Sequence, residues 1–165
     1  MRRNDKEIKD AKLIKSLLKK ALVCRVALCD GNKPYIIPMN FAFKDNCLYF
    51  HSAREGKKID VIKKNNNICF EVDAKIELLK SEKPCNWTMN YLSVVGSGDA
   101  QFLDEVEDKI RVLNIIMAKY SGEGSSNEDV EKPNKTIFEY SRESIKKLAI
   151  IKVNITEITG KKSLH

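Results

Sequence analysis

His51 and Ser52 end the apolar run CLYF, and Gly56-Lys57-Lys58 follow just before a helix-like stretch. An imidazole titrates near neutral pH and can pass a proton. A serine hydroxyl, the free N–H groups of a helix start and two ammonium groups are the donors a phosphate needs. Helix N-termini favour anions, and lysine adds a point charge. The same residues also read as a polar loop with a helix cap and two solvated lysines, and a lone histidine at a strand end also reads as structural. Spacing alone leaves both readings open. The chain has neither a Walker sequence nor G-x-G-x-x-G, so nucleoside-triphosphate and Rossmann readings lose support. No serine- or cysteine-hydrolase signature accompanies His51, so no nucleophile–base pair is argued from it.

Upstream, residues 34–43 (PYIIPMNFAF) form a β-rich run interrupted by Pro38. Proline has no N–H to give to a ladder, so such a strand belongs at a sheet edge or a bulge, with neighbouring backbone groups left for a ligand. Backbone edges beside a basic helix start suit a flat, phosphorylated ligand. Trp87, Tyr91, Phe41 and Phe43 are candidates to stack on an aromatic ring; the competing reading puts at least two of them in the core. Lysines interleaved with aromatics also admit a nucleic-acid-binding barrel. No RNA-recognition signature supports that class, and the basic charge is not gathered into one stripe.

Positioning these residues is a task for the whole chain. Its 165 residues are enough for one domain, 1–165, with a single real core. Apolar residues at 42% argue against global disorder. The net charge of +7 comes from scattered lysines, which either form a solvated surface or attract anionic ligands. Cysteines 24, 29, 47, 69 and 85 are odd in number, lack a C-x-x-C pair and sit mostly in apolar runs, so buried thiols in a reducing cytosol are expected and a metal site is not. The N-terminus has no apolar signal region and no run approaches a membrane span, so a soluble cytoplasmic protein is expected.

Apolar spacing predicts an amphipathic helix over 5–20, capped by Asn4 or Asp5. Strands follow at 21–29, 34–43 and 47–51, joined by Asp30-Gly31-Asn32 and Lys44-Asp45-Asn46. A short helix over 56–65 turns Ile59 and Ile62 inward. Strands are expected at 68–79 and at 88–103, where Gly96 and Gly98 mark a bulge or a close approach by something flat. Residues 104–120 read as a helix capped by Asp104, with Val106, Ile110, Leu113, Ile116, Met117 and Tyr120 inside. Residues 121–135 read as a mobile loop, 137–146 as a short helix and 148–158 as a final strand. The sum is a small antiparallel barrel with helical additions.

The order and spacing of several segments resemble the FMN-binding split barrels of the pyridoxamine 5′-phosphate oxidase superfamily, and within it the 5-nitroimidazole-resistance branch. They are Met1-Arg2-Arg3 with the charged first helix, PYIIPMNFAF, LYFHSAREGKKIDVIKKNNNICFEV, NYLSVVGSGDA before an acidic helix start, AKY and ITEITGKK. The resemblance implies a mainly β fold with peripheral helices, a six- or seven-stranded antiparallel split β-barrel with Greek-key order. It implies a homodimer with FMN at the subunit interface. In such proteins the strand matching 35–40 runs beside the isoalloxazine ring, which makes the backbone of Ile37, Pro38, Met39 and Asn40 cofactor contacts. Phe50, His51 and Ser52 fall at the ring and ribityl end, Lys57 and Lys58 at the phosphate, and Ser93 at a polar flavin-contacting position. His51 matches the branch's histidine close to the flavin and is the candidate catalytic residue.

The oxidase proper holds its substrate phosphate with arginines and a tryptophan near the C-terminus. Here no arginine follows Arg142, and Tyr35 and Asn40 replace the arginine and lysine flanking the flavin strand, so pyridoxamine-phosphate oxidation is not implied. The implied activity is an FMN-dependent oxidoreductase, a reductase of the nitroimidazole-resistance type with a small-molecule electron acceptor. The alternative is a non-enzymatic flavin- or haem-binding protein on the same fold, serving storage, sensing or electron transfer.

Overall fold

The computed structural model describes residues 3–121 and 138–165. Seven strands, β1 (Cys24–Asp30), β2 (Lys33–Met39), β3 (Ala42–Lys44), β4 (Cys47–Ala53), β5 (Asn67–Leu79), β6 (Thr88–Leu103) and β7 (Leu148–Ser163), form one antiparallel sheet in the order β2-β1-β5-β6-β7-β4-β3. Helices α1 (Ala11–Lys20), α2 (Lys57–Lys64), α3 (Val106–Tyr120) and α4 (Arg142–Lys146) accompany it. Strands β5, β6, β7 and β4 lie in Greek-key order. The two edge strands, β2 and β3, are consecutive in the chain, with only Asn40 and Phe41 between them. The chain thus passes directly from one edge of the sheet to the other, and the sheet curls into a barrel that stays split at the unpaired edges of β2 and β3, the seam.

Two short loops fix the register of the hairpins. Asp30 pairs with Lys33 around Gly31, whose φ is +65°, and Lys44 pairs with Cys47 around Asp45 and Asn46, at φ 52° and 56°. Two positive φ values in succession are what a type I′ turn requires. Alternation then sorts the side chains. Val26, Leu28, Phe50, Phe70, Val72, Val94, Ile151 and Val153 fill the barrel, and Leu17 and Leu18 of α1 join them. A second core lies outside the barrel, where Val112, Leu113 and Ile116 of α3 cover Ala42, Cys47, Tyr49 and Ile150. Among the described residues nothing covers the outer face of β2, β1, β5 and β6, the bare face.

The helix expected over 5–20 is shorter. Asp10 rather than Asn4 or Asp5 caps it, accepting from the Lys12 N–H at 2.8 Å, while residues 4–6 form a 3₁₀ turn and Glu7 bridges to Lys161 of β7. The cap of α3 is Glu105, with no side-chain hydrogen bond, and not Asp104. Its inner face is also rotated: Met117 is exposed, and Lys109 is buried with Nζ donating to the Leu148 carbonyl at 3.0 Å. The run 34–43 breaks into β2 and β3, and the last strand runs on to Ser163 through the Gly160-Lys161-Lys162 segment. Apart from Ser121, the loop expected at 121–135 lies outside the described residues. Only Cys24 and Cys47 are buried; Cys29, Cys69 and Cys85 are exposed, the first two on the bare outer face. No helix among the described residues is long and apolar enough to cross a membrane.

Gly98 marks the expected bulge, and what approaches it is the neighbouring strand. The β6–β7 register shifts between Ser97 and Gly98, and a Cβ on Gly98 would strike the Asn154 carbonyl. A Cβ on Gly96 would enter the Phe70 ring. The strands approach closely here because nothing but hydrogen separates them.

Candidate functional site

The open edge of β2 is defined by its prolines. In a two-residue hairpin the Asp30/Lys33 pair is hydrogen-bonded, so the bonded positions continue at Tyr35, Ile37 and Met39. Pro34, Ile36 and Pro38 then turn their backbone away from β1. Both prolines thus sit where no ladder N–H is missed, as an edge strand requires. This corrects the expectation that backbone N–H groups across 37–40 face a ligand. Ile37 and Met39 spend theirs on β1, and Pro38 has none. Ile36 offers the one β2 amide turned to the seam, with Asn40 just beyond the strand. Met39 is buried and Ile37 packs against the core, whereas Asn40 is exposed.

Strand β4 delivers its residues to different faces. Phe50 is 1% exposed and lies in the barrel, its ring centre 6.3 Å from that of Phe41. Its side chain is core and is closed to a ligand. Ser52 also points inward, and its buried Oγ has no hydrogen-bond partner among the described residues. His51 points outward beside Ile150 of β7 and is exposed, yet its pKa is held below the usual value, first by burial of the ring and then by the Lys58 charge. The imidazole is therefore neutral at physiological pH.

Helix α2 starts four residues after β4. Gly56 caps it at φ +117° with no side-chain hydrogen bond, and the first helical bonds run from Ile59 and Asp60 back to the Gly56 carbonyl. The N–H groups at Lys57 and Lys58 thus precede the helical ladder and have no capping side chain. Ile59, Val61 and Ile62 are buried and fix the helix against the barrel. Lys57 turns to the β1–β2 hairpin, with Nζ 3.9 Å from the Asp30 carboxylate and 4.7 Å from the Tyr35 ring centre. Lys58 lies on the His51 side. Sequence reading gave Asp30 only a turn role and Tyr35 only a replacement role; neither carries a local signal of its partnership with Lys57, which the hairpin creates.

The crossover between the edge strands is held from α3. The Tyr120 hydroxyl accepts from the Phe41 N–H at 3.0 Å and donates to the Leu22 carbonyl at 2.6 Å. Lys119 places Nζ 3.5 Å from the Phe41 ring centre, and burial brings its pKa down to about 8. Cys24 is nearby, its thiol pushed up to about 12 by burial. Phe41 is fully buried and Phe43 packs against the core, while Trp87 is 44% exposed, so the two phenylalanines are structural and Trp87 is a surface residue.

Ser93 stands apart from this group. It lies on the bare outer face between Asp73 of β5 and Lys161 of β7. Arg25 donates there to Glu71 at 3.0 Å and Asp73 at 2.7 Å. His51 is level with Ile150, which pairs with Leu103 at the far end of β6. Roughly 30 Å of strand separates the two levels. One chain brings His51 and Lys58 together at the start of α2, with Lys57 reaching the β1–β2 hairpin, but it does not bring Ser93 to them. A hollow of about 190 Å³ beside α2, lined by Arg54, Ile59, Lys63, Asp104 and Ile150, is below the roughly 300–1,000 Å³ of small-molecule sites.

The family model described as pyridoxamine 5′-phosphate oxidase matches residues 10–162. Among solved structures, a candidate 5-nitroimidazole antibiotic resistance protein from Bacteroides thetaiotaomicron is 30% identical, with a TM-score of 0.77, covering 94% of this chain and 86% of that one. The flavocytochrome Anf3 from Azotobacter vinelandii gives a TM-score of 0.81 at 17% identity, covering 100% of this chain and 72% of that one. An FAD- and haem-binding protein from Mycobacterium smegmatis gives 0.81 at 14% identity, covering 97% and 74%. At those identities the last two share the fold alone. No curated protein matched the chain.

Proposed function

Because the chain belongs to the pyridoxamine 5′-phosphate oxidase family, in its nitroimidazole-resistance-like branch, we propose that it binds FMN and works as a flavin-dependent reductase of small electron acceptors. The observation that carries this reading is the start of α2. An uncapped helix N-terminus and Lys58 converge beside His51 on the outer side of β4, one strand from the seam. That donor set fits a phosphate monoester. FMN, when bound, supplies the hydride and electron chemistry, and the protein supplies binding, orientation and electrostatics.

The Lys58 ammonium and the N–H groups at Lys57 and Lys58 hold the phosphate end. The Ile36 and Asn40 amides at the seam face the ring and favour negative charge on its reduced form. His51, neutral at physiological pH, carries one ring N–H that it can present to an acceptor as a proton donor.

The site is shared between two copies of the chain. Among the described residues ten large apolar side chains are exposed, and five of them (Ile36, Ile76, Leu78, Met89 and Val95) belong to the bare face of β2, β5 and β6, with Trp87 just before β6. Such a patch on a water-soluble barrel marks an interaction surface. Burying it in a homodimer also brings the Ser93 of one copy toward the seam of the other.

The deciding experiment is the visible spectrum of the purified protein with and without added FMN. Binding at micromolar FMN, with nitroaromatic turnover from a nicotinamide donor, is expected. Absence of a flavin band and of binding overturns the reading. Tight binding without turnover on any acceptor leaves a flavin-binding protein rather than an enzyme.

A further inference from the structure

We propose that Tyr120 is a positioning residue for the flavin: it fixes the β2–β3 crossover so that Asn40 stays presented at the seam. The inference rests on the flavin reading above and adds to it a residue far from the ligand-facing segments in sequence. Asn40 is exposed between two buried neighbours, Met39 and Phe41. It belongs to neither edge strand, so no ladder holds its backbone. The restraint comes from the next residue. The Phe41 N–H is bound by the Tyr120 hydroxyl at 3.0 Å, and the Phe41 carbonyl lies 3.3 Å from the same oxygen. That hydroxyl gives its one proton to Leu22, in the link between α1 and β1, at 2.6 Å.

One phenol thus ties the crossover to the start of β1, the strand that pairs with β2. The phenol is itself rigid, because α3 is seated in the second core through Val112, Leu113 and Ile116. Lys119, one residue earlier, presses on the Phe41 ring from 3.5 Å and donates to the Leu18 carbonyl at 3.4 Å, so the crossover is held at both its backbone and its side chain. A buried backbone N–H in an irregular segment needs such a partner. What makes this one functional is its place: it sets the position of the amide next to the open edge, where β2 itself has spent or lost every donor but Ile36.

The test is Tyr120→Phe in the full chain, which keeps the ring and removes only the hydroxyl. The Kd for FMN is expected to rise about tenfold, the equivalent of one hydrogen bond's worth of alignment. The midpoint potential of the bound flavin, measured at saturating FMN, is expected to become more negative as the reduced ring loses an aligned donor. A purely structural tyrosine would lower the melting temperature and leave the potential of the saturated protein where it was, which overturns the proposal. If wild-type protein binds FMN and the variant matches it in both Kd and potential, the positioning role is overturned while the flavin reading stands. If wild-type protein binds no FMN, both fall. Should the variant not fold, hydrogen exchange at the Phe41 amide of wild-type protein decides. Slow exchange that FMN slows further supports the clamp, and exchange as fast as an exposed loop overturns it.

Discussion

At the scale of single residues, two lysines that are adjacent in sequence have different surroundings and different expected effects. Lys57 already faces Asp30 and the Tyr35 ring, so part of its charge is answered within the chain. Lys58 lies beside His51, whose pKa it helps to lower. Lys58→Ala is therefore expected to weaken FMN binding by about 1.5–3 kcal/mol, the range of a charge-assisted hydrogen bond, and Lys57→Ala by less; fluorescence titration of FMN checks the order. The same variant reads out on His51. Burial is the larger cause of its lowered pKa and stays, but loss of the Lys58 charge moves the titration midpoint up, which proton NMR follows, His51→Gln separating it from His165. The sign for stability follows from proton counting. With a folded pKa below the ordinary 6.5, the unfolded chain binds more protons within that window, so stability falls as pH drops through it and is unaffected above it. Lys58→Ala narrows that window.

At the scale of elements, the glycines of β6 give a graded prediction. Gly98→Ala drives a methyl group against the Asn154 carbonyl, a backbone atom in a paired strand, whereas Gly96→Ala meets the Phe70 ring and the Glu157 carbonyl at 2.7 Å. Overpacking costs roughly 1–3 kcal/mol, and Gly98→Ala is expected at the upper end because its closest contact is with backbone, whereas at Gly96 the backbone carbonyl is farther off and the closest contact is a side-chain ring. Gly31→Ala has open space and costs only its positive φ, about 1 kcal/mol; urea unfolding of the three ranks them. These positions also show why some elements were legible in the sequence and others were not. Hairpin turns, the edge place of Pro38 and the burial of Ile59 and Ile62 rest on neighbours within a few residues, and periodicity or backbone chemistry reveals them. The strand order does not, since β4 beside β7 and β1 beside β5 are pairings over long stretches of chain. The caps were misplaced because Asn4, Asp5 and Asp104 suit the role as well as Asp10 does, and only tertiary docking chooses. Likewise Lys57 and Lys58 were readable as a candidate phosphate end across one loop from Ser52, whereas the effect of Lys58 on His51 was not. Tyr120 was readable as an inward residue, but its grip on Phe41 spans the whole barrel.

At the scale of the molecule, Ser93 and His51 lie at distant levels along β6 and β4, and the proposed sharing of the site between two chains turns on that separation. If the bare face of β2, β1, β5 and β6 pairs with its own copy, a charge placed in its middle must undo the dimer and the flavin site together. Val95 is the residue for this test. It is 43% exposed, lies two positions from Ser93 on the same face and takes no part in either core. Val95→Glu leaves the barrel interior untouched, so the far-ultraviolet spectrum and the cooperativity of unfolding are expected to match wild type. In a dimer the two introduced carboxylates and the Arg25–Glu71–Asp73 cluster would be desolvated together, and burying unpaired charge is costly. Glu71 already shows the direction, its pKa raised by burial despite Arg25. Sedimentation velocity is therefore expected to show a dimer for wild-type protein and a monomer for Val95→Glu, with FMN affinity lost in step. A wild-type monomer that holds FMN as tightly as the variant would mean that one chain completes the site alone, and the shared-site reading would be discarded.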